Sequence, residues 1–184
     1  MSTASRLSLV QEIDTFLAEP KSLSDGLPQW AESHIPGRWT SAWPIQDADG
    51  IFLEATRLVF TGRRDDPTQF SVSLLFRNER IQAVDITPAR VCKMNPPDAG
   101  ARFDLPSKVC GSHFHEWKDN RHLALELGLG RLPYRRPTPK LLTKLPHALA
   151  AIAQATNLTL TAEQASFDVP TQGMLLMKGG QDDV

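Results

Sequence analysis

Gln69-Phe70-Ser71-Val72-Ser73-Leu74-Leu75-Phe76-Arg77-Asn78-Glu79-Arg80-Ile81 is the stretch that decides the fold. Phe70, Val72, Leu74 and Phe76 alternate with Ser71 and Ser73, the period of a strand with one face buried. Arg77-Asn78-Glu79-Arg80 is a polar turn into a second apolar run, residues 81–86. Upstream, Asp47-Ala48-Asp49-Gly50 is a turn signal that opens residues 51–60, rich in Leu, Val, Phe and Thr. A charged turn with Arg63, Arg64, Asp65, Asp66 and Pro67 links that run to Phe70. Three consecutive strands on short polar turns predict an antiparallel β-meander.

The flanks supply helices. Leu7, Val10, Ile13 and Leu17 recur at helical spacing, so residues 6–18 read as an amphipathic helix stopped by Pro20. Trp30, Trp39 and Trp43 follow in irregular sequence, which reads as a cover packed on the core. Residues 87–108 are a loop by composition, and residues 109–117 a fourth strand. Asp119 or Asn120 caps a short helix running to Leu127, with Gly128 as its stop. Thr138-Pro139 opens a longer helix with Leu141, Leu142, Leu145, Leu149 and Ile152 on one face. Pro146 should kink or divide that helix. Asn157 is its left-handed stop, and Thr161-Ala162-Glu163-Gln164 has capping-box spacing for a last short helix. The expected fold is therefore α+β: a meander of about four to five strands covered by an N-terminal helix and C-terminal helices. Residues 1–169 read as a single domain and residues 170–184, polar apart from Met174 to Met177, as a loose tail.

The totals narrow the function. The 184 residues are 41% hydrophobic and 22% charged, as in a globular domain, with a net charge of −1. No global positive field gathers nucleic acid, so such binding needs a local patch. No apolar run approaches a membrane span or a signal-peptide core, which predicts a cytoplasmic protein without a membrane partner. Cys92 and Cys110 then read as thiols or ligands rather than a disulfide. Motifs for a glycine-rich phosphate loop, a nucleophile elbow and a Cys-x-x-Cys pair are absent.

Chemistry concentrates in Cys110-Gly111-Ser112-His113-Phe114-His115-Glu116-Trp117-Lys118-Asp119-Asn120-Arg121-His122. On a strand His113 and His115 share a face, their Cα atoms about 6.6 Å apart, with Phe114 on the other. Two readings follow. In the first, His113, His115 and Asp119 (or His122) hold a divalent metal, zinc or manganese, whose open position activates water. In the second, His113 and His115 are general base and acid on a phosphodiester, with Asp119 and His122 as further catalytic candidates. Arg121, Arg131, Arg135 and Arg136 would hold phosphate, and Tyr134 would stack a base or supply a proton. His-x-His is also common on a solvated sheet face, where Glu116, Lys118, Asp119 and Arg121 are ordinary ion-pair partners.

Val84-Asp85-Ile86, Asn95-Pro96, Gly111-Ser112-His113-Phe114-His115-Glu116-Trp117 and the C-terminal helix resemble, over roughly residues 50–160, a family of small uncharacterised bacterial proteins from mobile elements. Glu116, between the second histidine and the aromatic residue, departs from the family's pattern. The resemblance implies a phage, plasmid or defence context and no specific activity. The expectation is a small nucleic-acid-directed nuclease, toxin- or defence-like, using the His-x-His strand. The alternative is a protein-binding inhibitor or adaptor whose surface is Trp30, Trp39, the proline-rich loop and the tail.

Overall fold

A computed structural model describes residues 3–126, 128–138 and 142–169. In chain order its elements are α1 (Thr3–Ala18), β1 (Lys21–Leu23), β2 (Ala31–Glu32), β3 (Arg38–Gln46), β4 (Phe52–Arg63), β5 (Phe70–Phe76) and β6 (Glu79–Ile86). Then follow β7 (Cys92–Met94), α2 (Ala99–Phe103), β8 (Lys108–Cys110), β9 (His113–His115) and α3 (Trp117–Glu126). The last are β10 (Arg136–Pro137), α4 (Leu145–Ala155), β11 (Leu158–Thr159) and α5 (Ala162–Ala165). The expected tail, Leu127, Pro139 and Leu141 lie outside the described residues.

The fold is α+β, but the sheet is larger than the sequence implies. Nine strands form one curled, mixed sheet, a half-barrel with the order β10-β9-β6-β5-β4-β3-β1-β11 and β2 beside β3. Every pairing is antiparallel except that of β1 with β11. The meander is its centre, as the alternation at Phe70 to Phe76 requires: those four apolar residues are buried and Ser71, Ser73 and Leu75 are half-buried. Strand β3 is the main addition. Trp39, Ser41, Trp43 and Ile45 alternate inward along it, and Pro44 sits where its register with β4 shifts. A proline is tolerated at such an irregularity because the ladder there is already broken.

One face of the sheet carries the core: Trp43, Ile45, Leu58, Phe60, Val72, Leu74, Val84, Ile86 and Phe114. From α1, Val10, Ile13 and Phe16 close over it, Phe16 against Phe76 with ring centroids 4.9 Å apart, while Leu7 stays 47% exposed. Helix α4 packs on β5 and β6. It starts at Leu145 with Pro146 in its first turn, so the expected kink does not arise: at that position proline's missing N–H has no helical partner to lose. Asn157 does take a left-handed conformation, φ +52°, and the Thr161–Gln164 capping box is formed on both sides. Lys21 is buried between the ends of α1 and α4. Its ammonium donates to the Glu19 and Thr156 carbonyls and lies 4.7 Å from the Phe16 ring. That places a positive charge where both helix dipoles end.

The expected loop at 87–108 is a small subassembly, and it corrects the cysteine reading. Strands β7 and β8 pair so that Cys92 lies opposite Cys110, and the two form a disulfide. Disulfides belong with oxidising compartments, so the cytoplasmic expectation gains no support here. We expect a thiol reagent to find no free cysteine in the native protein and both after reduction. Two reactive thiols before reduction would overturn the pairing. No described helix is long and apolar enough to cross a membrane.

Candidate metal centre

The expected strand at 109–117 is broken in two by Gly111, which sits at φ +78° between β8 and β9. A side chain there would be strained, and the turn it permits sets β9 against β6. Pairing then brings Asp85 opposite His113 and Ala83 opposite His115, with Phe114 opposite Val84 on the core side. The two histidines do share the face away from Phe114. Trp117 does not continue that face, because the chain has already entered α3; its indole donates to Asp14 instead.

Asp85, not Asp119, completes the group. The side-chain atoms of Asp85, His113 and His115 that could ligate a metal all lie within 4.8 Å of one another, so the group could hold a metal ion. Its internal wiring is one-directional. Ring Nδ1 of His113 is 2.8 Å from the Gly111 carbonyl, and Nδ1 of His115 is bonded to the Leu132 carbonyl. A carbonyl only accepts, so each Nδ1 carries the hydrogen, and a ring without a second proton presents a lone pair at Nε2. Both Nε2 atoms face one oxygen, Asp85 Oδ2, at 3.1 Å from His115 and 3.6 Å from His113. The other oxygen, Oδ1, is already taken by the Ser71 hydroxyl at 2.6 Å and the Arg80 guanidinium at 3.2 Å.

Three acceptors therefore converge, and they need a proton or a metal cation between them. Zinc at ordinary Zn–N and Zn–O lengths would hold tetrahedral ligand atoms about 3.3 Å apart, between the two distances seen. The Nδ1–H bonds to backbone carbonyls are of the kind that orient metal-bound imidazoles. Burial pushes the His113 imidazole below its ordinary pKa, against the Gly111 hydrogen bond and the Asp85 charge, and so favours the lone pair. Burial opposes the charge on Asp85, but the hydrogen bond and charge of a protonated His115, with Arg80 and Ser71, outweigh it and hold the carboxyl well below the usual range; a metal ion would take the place of that proton. Two imidazoles and one carboxylate suit zinc or manganese.

The chain matches no protein-family model, no curated protein and no solved structure. The resemblance to mobile-element proteins thus rests on its short motifs alone, and the site must be read from its own geometry.

The other predicted residues are placed elsewhere. Asp119 is 3% exposed and accepts from Arg136, whose guanidinium also reaches Glu116. Arg121 grips Asp14 with Nε and Nη2. Tyr134 is buried; its hydroxyl donates to Asp98, and its backbone is clipped to the Asn120 amide. His122 packs against Phe103 and Tyr134, with both ring nitrogens lacking a partner among the described residues. Arg135 binds the Met94 and Pro133 carbonyls, and Arg131 is exposed. Asn95 ties the loops together through the Pro106 and Arg135 backbones.

Arg136 is thus a structural cation. Arg136→Ala should cost about 2 kcal/mol in urea unfolding, because it strands the buried Asp119 carboxylate. Arg131→Ala should cost nothing measurable, and equal effects would refute the distinction.

Cations do gather at the site, from another part of the sequence. A cavity of about 290 Å³ opens beside Asp85 and His113, and Arg38, Arg63, Arg80 and Lys93 line it with Thr61 and Ser71. Of these four cations, Arg80 pairs with Asp85 and Arg63 with Asp65. None of the four was among the residues expected to bind phosphate.

Proposed function

We propose that this chain is a small metal-dependent phosphodiesterase acting on nucleic acid, with Asp85, His113 and His115 as the ligands. One observation carries the reading. Three acceptor atoms converge, their other hydrogen-bonding sites already occupied, beside a cation-lined cavity. Bound zinc or manganese supplies a Lewis acid and a water acidified enough to attack phosphorus. The protein's own part is orientation and charge. The Gly111 and Leu132 carbonyls fix the two rings, and Ser71 and Arg80 fix the carboxylate. Arg80 and Lys93 offset the charge that grows on the phosphoryl oxygens.

The metal-free acid–base mechanism fits less well, because both Nε2 atoms point at Asp85 rather than outward. The interaction reading loses the tryptophans of its surface: Trp39 is 8% exposed, and half-buried Trp30 stacks on Phe167. Elemental analysis of untagged protein, prepared without chelator, tests the proposal beside cleavage of a labelled oligonucleotide. One equivalent of metal and cleavage, both lost in His113→Ala, are expected. Metal-free protein, or full cleavage by His113→Ala, would overturn it.

A further inference from the structure

The cavity reaches further than a metal centre needs. Register sets Thr40 beside Thr61, Thr61 beside Ser71, Ser71 beside Asp85 and Asp85 beside His113. This polar row crosses five strands on one face and ends on a metal ligand. Two positions along from Thr40 and Thr61, on the same face, Arg38 and Arg63 stand directly opposite each other. Between β4 and β6, the strand of Asp85 and Arg80, lie two strand spacings, about 10 Å. Positive charge therefore sits at two places, Arg80 by the metal group and Arg38 and Arg63 remote from it.

A single phosphate cannot reach both places. The separation is several internucleotide steps at about 3.4 Å per residue of a stacked strand. A duplex presents its phosphates on a stiff convex surface, whereas one strand can bend to follow a sheet face. Arg38 and Lys93 have no ion pair or side-chain hydrogen bond among the described residues, whereas Arg80 is paired with Asp85. Asp65 grips Nε and Nη2 of Arg63, which holds that guanidinium in place while offsetting part of its charge. Among the ring side chains of the described residues only Phe70 and His113 touch the cavity, and Phe70 is a core residue. Nothing there stacks a base, so recognition runs through the backbone.

We infer that the row is a track for single-stranded nucleic acid, with the metal group at one end and Arg38 and Arg63 forming a remote phosphate subsite. The inference rests on the phosphodiesterase reading and names its substrate form. The test is fluorescence anisotropy with labelled thymidine monophosphate, octathymidylate and the octamer duplex, in chelator and at several salt concentrations. The octamer should bind about tenfold tighter than the monophosphate and tighter than the duplex. The Arg38→Ala/Arg63→Ala protein should lose that advantage, its salt slope shallower by about 1.4 for two lost phosphate contacts. Loss of the exposed Arg63–Asp65 pair should barely affect folding, which circular dichroism checks. Equal affinity for monophosphate and octamer, preference for the duplex, or unchanged octamer binding by the double variant would overturn the track. Metal content is read on chelator-free samples of the same preparations. Normal metal without length dependence removes the track alone. Absent metal removes the function above, and the binding data then judge the track by themselves.

Discussion

Asp85→Asn will leave the protein folded and strip it of metal. In the native side chain Oδ1 accepts from Ser71 and Arg80, while Oδ2 faces the two imidazole lone pairs. The asparagine carbonyl can keep the first role. Its amide then turns N–H donors toward the two Nε2 atoms, satisfying both without a cation. Metal affinity should fall by more than about a hundredfold, the upper end of what outer-shell changes alone produce. Asp119→Asn is the control and should retain metal, because that carboxylate serves Arg136. Plasma mass spectrometry and a thermal melt read both. One full equivalent of metal in Asp85→Asn would place the ion elsewhere. In the wild type, chelation should lower the melting temperature, since a ligand of the folded state alone stabilises it by mass action.

Trp43→Ala should cost about 3 to 5 kcal/mol, a large part of the stability of a domain this size. The indole is 1% exposed, lies edge-on to Phe167 at 5.3 Å and is tilted against Phe60 at 6.4 Å. Its Nε1–H donates to the Ser24 carbonyl at 2.9 Å, which also accepts from Gln164, so the substitution removes one of that carbonyl's two donors. Trp30 is less buried, and Trp30→Ala should cost clearly less. Urea unfolding ranks the two. A Trp30→Ala protein of native stability that has lost a binding partner would instead restore the interaction reading.

What could be read from the sequence follows from the range of each signal. Alternation at Phe70 to Phe76 and the turns around it are local, and the meander stands where they put it. Trp39, Ser41, Trp43 and Ile45 alternate just as well, but Pro44 masked the pattern and only the register shift explains it. Two of the three residues of the group were legible. His113 and His115 announce themselves, whereas Asp85 lies remote in sequence and joins them only through β6–β9 pairing. Its one local trace is a half-buried carboxylate between two buried apolar residues, Val84 and Ile86. The nearby acid, Asp119, attracted the assignment by proximity in sequence, and a helix turn carries it away to Arg136.

The break at Gly111 has a consequence for how the molecule assembles. Strands β3 to β6 can zip together through short turns, each closing a small loop. Strand β9 joins only after the chain between Ile86 and His113, with its own disulfide-bridged hairpin, has folded back on itself. That closure carries the larger entropic cost and belongs late in folding. A shift of one residue in the β6–β9 register would turn both imidazoles toward the core and Phe114 toward water. The three converging side chains therefore meet only in the finished sheet, and their meeting marks the moment at which the half-barrel is complete.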